Sequence, residues 1–373
     1  MLGLFIQRHA EAAGRYCRVG VVYTHVVDGE GGIKGFDVDF KQENGIPTAR
    51  VYYSNPEANI PLLTEFVRAC CFFRANRKGI RMIKKELGGF DLVHVHILTR
   101  LGIIALWTKW TEGKPFMITE HWSRYLNLTG GFKGWLRKRI TRLVVKNAAI
   151  VTTVTQNLAE AMQIHGLKNA NYRLLPNVVS DDFLNFQKEQ KGASKTTFVH
   201  VSCFEDKSKN ISGLLRMIRS LSDKRKDFIF KLVGEGMDSH SLKQYAKELG
   251  LTEETVIFTG LLEGKPLVRE MASADLMVVF SNYENFPVVI NESFALGVPV
   301  IATRVGGIPE FVNEQNGFLI APGDEKALEE TLSGYLDGKI MFDSNRISNE
   351  FREAFSPENT GKQLLTMYEE IIH

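Results

Sequence analysis

The sequence predicts an α/β protein with two doubly wound parallel-sheet domains that face a central cleft. Short apolar runs alternate with amphipathic helical segments in both halves of the chain, which is the pattern of repeated βα units. Polar and charged residues follow several of these runs, at the strand ends where open α/β sheets bind ligands. The length of 373 residues suits two domains, which we place at 1–178 and 179–356.

The clearest unit, residues 274–303, reads as strand, loop, helix and strand. Its helix is predicted to begin at Pro287, since proline suits the first helical position, and to end before Gly297. Two carboxylates, Glu284 and Glu292, lie just ahead of this helix and inside it. The unit therefore places Glu284 in the crevice at the carboxyl end of a strand and Glu292 inside the helix that follows.

Glu292 belongs to a helix whose other residues are nearly all apolar, so the carboxylate is predicted to be buried and to need partners. Two interpretations remain open: an ion pair with a core arginine, or hydrogen bonds from the hydroxyls of a ligand such as a ribose. Eight helical residues rise about 12 Å, whereas the two carboxyl groups of a retaining glycosidase lie about 5 Å apart. Glu284 and Glu292 are therefore predicted to hold two ends of one elongated ligand.

Composition limits where the protein works. Four cysteines, Cys17, Cys70, Cys71 and Cys203, have no metal-ligand spacing, which predicts a reduced, cytoplasmic chain. The sequence has no run of eighteen apolar residues and no recognisable signal peptide, so neither membrane spanning nor export is expected.

The net charge of +3 hides an asymmetry between the two halves. Residues 1–178 contain 25 Lys and Arg against 13 Asp and Glu, a net charge of +12, and the remainder contains 21 against 30, a net charge of −9. A basic half joined to an acidic half suggests an anionic partner for the basic one, such as lipid, a phosphate-bearing acceptor or nucleic acid.

The first half is predicted to contain strands at 18–25, 50–53, 91–96, 116–122, 149–154 and 172–177, a polar excursion at 29–35 and a long helix at about 60–87. His94 and His96 share one face of their strand. A metal pair is conceivable, but hydrogen-bonded sheet histidines are several times more common where no carboxylate or cysteine partner is near. His121 ends the next strand, as either a core residue or a functional one.

The segment 132–146 is amphipathic, with basic residues opposite an apolar stripe. One interpretation is a core helix with a basic exterior. The other is docking on a membrane surface, which would place the cleft near a lipid-linked acceptor.

The second half follows a polar linker at about 187–195, with strands predicted at 196–202, 228–236, 255–260 and 317–322. Lys209 immediately precedes a helix predicted at 210–221, so a cation and a helix N-terminus converge there, which favours phosphate binding over a solvated loop lysine. Gly234 and Gly236 alone are a weak signal, because the third glycine of a dinucleotide fingerprint is absent.

The spacing Glu284…Glu292, followed by the Gly306-Gly307 loop, resembles the E-x7-E region of family 4 retaining glycosyltransferases, which have the GT-B fold. The resemblance implies that Glu284 contacts the donor sugar and that Glu292 binds the ribose of the nucleotide. The segment between them, Asn285, Phe286, Pro287 and Val288, is implied to line the donor site. Many members have Gly-Phe-Gly where this chain has Asn-Phe-Pro, and Pro287 cannot donate a backbone N–H to the sugar.

Other roles follow from the same resemblance. His121 is implied to lie near the donor sugar, and Lys209, helped by Lys207, to bind the diphosphate, although Cys203 stands where members have an arginine. The donor-binding set also includes Gly3, whose loop lies near the phosphates, Gly234, and Leu262, which lines the base pocket. The helix 357–373 is implied to pack back on the first domain.

The start of the chain departs from the family, in which a first strand precedes the glycine loop. That strand is central in a sheet of Rossmann order. We expect either a fold that lacks the first strand or a chain that begins roughly ten residues after its natural start.

The predicted function is transfer of a sugar from a nucleoside diphosphate donor to a glycan or lipid-linked hydroxyl acceptor with retention of configuration, in bacterial envelope or exopolysaccharide biosynthesis. No Asp-x-Asp occurs in a suitable loop, so we expect no metal requirement. We also expect no cofactor and no nucleic-acid partner. Two alternatives remain: a nucleotide-sugar epimerase of GT-B shape, and a noncatalytic glycosyltransferase-like subunit. The protein is expected in the cytoplasm, at the inner face of the membrane if 132–146 docks there.

Overall fold

Strands and helices alternate over much of the chain in the computed structural model, which describes residues 3–27, 35–54, 61–126, 130–188 and 195–373. Most of the predicted excursion at 29–35 and most of the predicted linker at 187–195 lie outside the described residues.

The first half begins with a helix and continues as strands joined by helices. In chain order its elements are α1 (Leu4–Gly14), β1 (Val21–Val26), β2 (Phe36–Glu43), β3 (Ile46–Tyr53), α2 (Pro61–Leu87), β4 (Val93–His96), α3 (Leu98–Glu112), β5 (Phe116–Glu120), α4 (Trp135–Asn147), β6 (Ile150–Thr153), α5 (Gln156–Ile164) and β7 (Tyr172–Leu174).

The strands of the first half form two sheets, one of order β1-β3-β2 and one of order β4-β5-β6-β7. All pairs are parallel except β2 with β3, a hairpin that the expectation of purely parallel sheets missed. Its turn residues, Asn44 and Gly45, both have positive φ, 49° and 81°. An Asn-Gly turn of this kind matches the twist of the two strands it joins.

Strands β1 and β4 each form an edge of their sheet, and the described residues place no strand between them.

The second half is a regular doubly wound domain. Its elements are α6 (Asp181–Leu184), β8 (Thr196–Val201), α7 (Asp206–Lys209), α8 (Ile211–Lys224), β9 (Phe228–Val233), α9 (Ser239–Glu248), β10 (Val256–Gly260), α10 (Gly264–Ala272), β11 (Leu276–Val279), α11 (Val288–Ala295), β12 (Val300–Thr303), β13 (Gly317–Ile320), α12 (Glu325–Leu336), α13 (Ser344–Ala354) and α14 (Pro357–Ile372).

The six strands of this sheet are parallel and have the order β10-β9-β8-β11-β12-β13, which is the Rossmann order 3-2-1-4-5-6. Alternate side chains of one strand enter two apolar cores on opposite faces: Met277 joins one core, and Leu276 and Val278 join the other. The order reverses between β8 and β11, so the crevice at the carboxyl ends of these two strands is the expected ligand site.

Helix α14 returns to the first half and packs along α1. Leu364 and Met367 of α14 share an apolar cluster with Ala13 of α1 and with Met117 and Ile150 of the sheet. Among the described residues, no helix is both long enough and apolar enough to cross a bilayer.

Candidate active site between the two halves

The loop after β11 lies at the reversal point of the strand order and holds Glu284. The loop after β12 approaches it so closely that a Cβ on Gly306 would lie 1.9 Å from the Glu284 carbonyl oxygen. Gly306 also has a φ of 55°, a backbone conformation that residues with a Cβ rarely adopt. The next residue, Gly307, donates its N–H to the Asn285 carbonyl at 2.7 Å. The two glycines therefore fix the path of the Glu284 loop.

Glu284 is turned inward and is paired with Lys209, the last residue of α7. The side chains are only 12% and 16% exposed, and Ser281 donates its hydroxyl to the same carboxylate oxygen at 3.0 Å. Burial disfavours the charged form of Lys209, but the Glu284 carboxylate outweighs it and raises the pKa of the ammonium group. A buried cation and a buried anion thus stand together at the switch point.

Glu292 lies on α11, where it is 4% exposed. Its Oε1 accepts a hydrogen bond from Arg8 Nη1 of α1 at 2.8 Å. The structure therefore contains the ion pair that one interpretation of the sequence anticipated, with an arginine from the other half of the chain. Helix α11 begins at Val288 instead of Pro287, which has an extended conformation and caps the helix.

Asn285 joins the two halves of the chain. Its Oδ1 accepts from Thr155 Oγ1 at 3.0 Å, and its Nδ2 donates to the carbonyl of His121 at 2.9 Å. Phe286, the next residue, is buried with its ring stacked on Phe311 at 4.0 Å between centroids. These two side chains position the loop against its surroundings.

His121 follows β5, and the buried carboxylate of Glu120 shapes the turn around it. Glu120 accepts the backbone N–H groups of Leu98, His121 and Trp122 at 2.9–3.0 Å. Burial raises the pKa of this carboxyl, while the three N–H groups oppose the shift. Burial also lowers the pKa of His121 well below its usual value, so its ring is neutral at neutral pH.

The remaining predicted residues differ in placement. Gly3 caps α1 and has a φ of 101°. Gly234 follows β9 so close to the Ser202 carbonyl that a Cβ at this position would lie 1.9 Å from that oxygen. Lys207 is exposed, as is Cys203, whereas Val288 and Leu262 are half-buried. Leu262 packs against the apolar core beneath α11.

Sequence reasoning missed several residues that the fold brings to this region. Arg8 and His9 come from α1, and Thr155 caps α5 with its side chain. Glu310 reaches the same helix end, where it accepts the N–H groups of Gln156 and Asn157 at 2.7 Å each. No local pattern marks these residues, because their partners lie more than a hundred positions away along the chain.

Comparison with known proteins gives the family. The model "Glycosyl transferase 4-like domain" matches residues 12–178, and the model "Glycosyl transferases group 1" matches residues 181–354. Together they extend over nearly all of the chain, which belongs to the group 1 glycosyltransferases of GT-B fold. The resemblance inferred from the E-x7-E region is confirmed.

Individual relatives are distant. The chain is 25% identical to N-acetyl-alpha-D-glucosaminyl L-malate synthase of Bacillus anthracis over 292 residues, 76% of this chain and 74% of the relative. It is 27% identical to the putative teichuronic acid biosynthesis glycosyltransferase TuaC of Bacillus subtilis over 259 residues, 66% and 61% of the two chains. The structure of Anabaena HepE in complex with UDP and glucose superimposes with a TM-score of 0.70 at 17% identity, covering 98% of this chain and 95% of that one.

Proposed function

We propose that this glycosyltransferase moves a sugar from a nucleoside diphosphate donor to a hydroxyl acceptor with retention of anomeric configuration. The observation that supports this most is the inward orientation of Glu284 and Glu292, one on each side of the start of α11, at the switch point of a Rossmann sheet. In this geometry Glu284 holds the donor sugar and Glu292 the ribose. HepE, a structural neighbour, binds UDP and glucose.

Lys209 supplies the charge that the reaction needs. The bond between the sugar C1 and the diphosphate oxygen breaks in the transition state, and negative charge grows on the departing diphosphate. A pre-positioned cation stabilises this charge more in a site screened from water than in solution. Lys209 is already held by Glu284. Lys207, two residues earlier in the chain and exposed, would contact the outer phosphate oxygens.

The acceptor hydroxyl attacks C1 from the face that the diphosphate leaves and gives its proton to the departing diphosphate oxygen, so the new bond has the configuration of the old one. We assign no residue as a covalent nucleophile. In this proposal the neutral ring of His121, whose backbone carbonyl accepts from Asn285, hydrogen-bonds a sugar hydroxyl. We expect transfer without a metal ion, with Lys209 in the role that a metal has in other transferases.

Helix α4 supports a site of action at the inner face of a membrane. The predicted apolar stripe divides in the structure: Phe132 and Val144 enter the core, whereas Trp135, Leu136 and Leu143 are 74%, 53% and 44% exposed. Basic residues flank these three on the same helix, namely Arg137, Lys138, Arg139, Arg142 and Lys146. An exposed apolar face with a basic border fits an anionic lipid surface. Together with the relationship to TuaC, this favours a lipid-linked acceptor in bacterial polysaccharide biosynthesis.

The test is release of nucleoside diphosphate from UDP-, GDP- and ADP-sugars with and without a lipid-linked acceptor, followed by NMR of the product's anomeric proton. A retaining transferase gives acceptor-dependent release and a product with the donor's configuration. Acceptor-independent formation of an altered sugar would instead identify an epimerase. An absence of turnover and of donor-induced thermal stabilisation would identify a noncatalytic subunit.

A further inference from the structure

Three histidines from separate elements converge beside the candidate active site. His9 belongs to α1, His96 ends β4, and His121 follows β5. One ring nitrogen of each lies within 4.8 Å of the other two, and His96 Nδ1 is 3.1 Å from His121 Nε2. The rings lie 5.4–5.5 Å apart between centroids.

His9 has a ring nitrogen with nothing to bind. Its Nε2 lies 3.1 Å from the carbonyl oxygen of Pro176, which only accepts, so Nε2 carries the hydrogen. Nδ1 therefore has no hydrogen and carries a free lone pair. This atom is buried without a hydrogen-bond partner, in a residue that is 1% exposed. Metal-ligating histidines have this arrangement, with the second nitrogen donating to a backbone carbonyl that fixes the tautomer and the ring orientation.

The neighbouring His94 is different, because both of its ring nitrogens are already engaged. Nδ1 lies 2.8 Å from the hydroxyl of Tyr368 in α14, and Nε2 lies 2.6 Å from Thr119 Oγ1. Its ring packs against that of His96 with 4.2 Å between centroids. His94 therefore supports the position of His96 and leaves three histidines as ligands.

We propose that His9, His96 and His121 form a binding site for one zinc ion, with a water molecule as the fourth ligand. Neutral imidazoles suit zinc and its neighbours in the first transition row, whereas magnesium and calcium need oxygen ligands that this cluster lacks. Nitrogens bound to tetrahedral zinc at about 2.0–2.1 Å lie about 3.4 Å apart. The cluster reaches that spacing if the rings shift by roughly an ångström.

Zinc in this site inhibits glycosyl transfer, a consequence that rests on the proposed function. It would engage His121, the residue assigned to the donor sugar, and would tie α1 to the sheet of the first half. Zinc is then an inhibitor bound at His121 and takes no part in the transfer itself, for which we propose no metal.

Direct binding tests the proposal without reference to activity. The full-length protein is freed of metal with EDTA and titrated with Co²⁺ followed by visible absorption, and Zn²⁺ is then added as a competitor. The wild type is expected to bind one Co²⁺ with the spectrum of a tetrahedral nitrogen site and to lose it to one Zn²⁺.

Two variants and one control decide the ligands. His9→Ala and His96→Gln should each weaken binding by more than the 10–100-fold that loss of an outer partner costs, while His240→Gln, on the exposed surface of α9, should bind as the wild type does. Melting curves of the metal-free variants establish that each is folded, and His96 is the less buried of the two ligands. Absence of a 1:1 complex, or equal affinity in both variants and the wild type, would overturn the zinc site whether or not the protein transfers sugar.

Discussion

Arg8 and Glu292 form a buried ion pair that joins α1 of the first half to α11 of the second. Arg8 Nη1 lies 2.8 Å from Glu292 Oε1, the side chains are 9% and 5% exposed, and the same nitrogen donates to the carbonyl of Val178 at 3.2 Å. The carboxylate proposed to hold the donor's ribose therefore already has a partner. A ribose at this position must share Glu292 with Arg8 or displace it.

Removing Arg8 should leave a buried carboxylate without a counter-ion. We expect Arg8→Ala to lower the free energy of unfolding by about 3–5 kcal/mol, measured by urea denaturation. Adding Glu292→Gln should restore part of this loss, because the uncompensated charge disappears. The control is Arg15→Ala, which breaks an exposed pair with Asp181 and should cost less than about 1 kcal/mol. Equal losses in the two arginine variants would contradict a structural role for the buried pair.

Gly306 should be required for donor binding. In Gly306→Ala the new methyl group would overlap the Glu284 carbonyl, so the loop that holds Glu284 must move. We expect the Kd for the donor nucleotide sugar, measured by calorimetry, to rise at least about tenfold, the equivalent of 1.4 kcal/mol. Gly323→Ala is the matched control, because Gly323 also has a positive φ, 74°, but has open space around its Cβ position. Similar Kd values in both variants would show that the path of the Glu284 loop does not matter.

His200 makes stability depend on pH. It is buried, with ring nitrogens 2.9 Å from the Val278 carbonyl and 2.8 Å from Ser202 Oγ. Burial, helped by the charge of Lys209 and opposed by the Val278 hydrogen bond, lowers its pKa from 6.5 to about 4. Between pH 4 and pH 6.5 the unfolded chain binds a proton at His200 and the folded protein does not. The contribution of His200 to the free energy of unfolding is therefore complete above about pH 6.5 and is lost as the pH falls towards 4.

The loss between about pH 7.5 and pH 5 should be on the order of 2 kcal/mol for this one group. Urea unfolding of the wild type and of His200→Gln at both pH values measures this loss. It is the difference between the two proteins in how far the free energy of unfolding falls from about pH 7.5 to pH 5. His240→Gln, which changes an exposed histidine, should keep the wild-type slope. An identical pH dependence in all three proteins would exclude His200 as the titrating group.

Helix α4 should bind anionic membranes through its exposed apolar face. We expect Trp135→Ser combined with Leu136→Ser to reduce cosedimentation with vesicles of phosphatidylglycerol and phosphatidylcholine about tenfold or more, since each residue buries apolar area in the lipid. Added salt should weaken wild-type binding because the basic border is screened. Met341→Ser, at a residue 83% exposed in the second half, is the control. Equal binding of wild type and double variant would exclude this face as the contact.

Local pattern was sufficient for the second half. Each strand there is a short apolar run, and the two carboxylates with their intervening loop lie within nine consecutive residues, so strand, loop and helix could be predicted together. The hairpin of β2 and β3 escaped notice because Phe36–Glu43 alternates polar residues with few apolar ones, although Asn44-Gly45 between the strands was a usable turn signal.

Partners from distant segments could not be predicted. The interpretation of His94 as a hydrogen-bonded sheet residue agrees with the structure, but nothing near His96 in the chain indicates that His9 and His121 meet it. Arg8 likewise reads as one basic residue in an ordinary helix. Only the packing of α1 against the sheet, which α14 completes from the far end of the chain, brings these groups together.

Glu284 is proposed to hold the donor sugar during transfer. The most direct measurement is the rate of nucleoside diphosphate release, with donor and acceptor saturating, for Glu284→Gln against Glu314→Gln, which changes an exposed carboxylate of the same half. Because Glu284→Gln loses a contact to the reacting group, its rate of release should fall at least about 100-fold, while its circular dichroism spectrum stays unchanged. The rate of release by Glu314→Gln should equal that of the wild type. Release by Glu284→Gln at the wild-type rate would contradict the account.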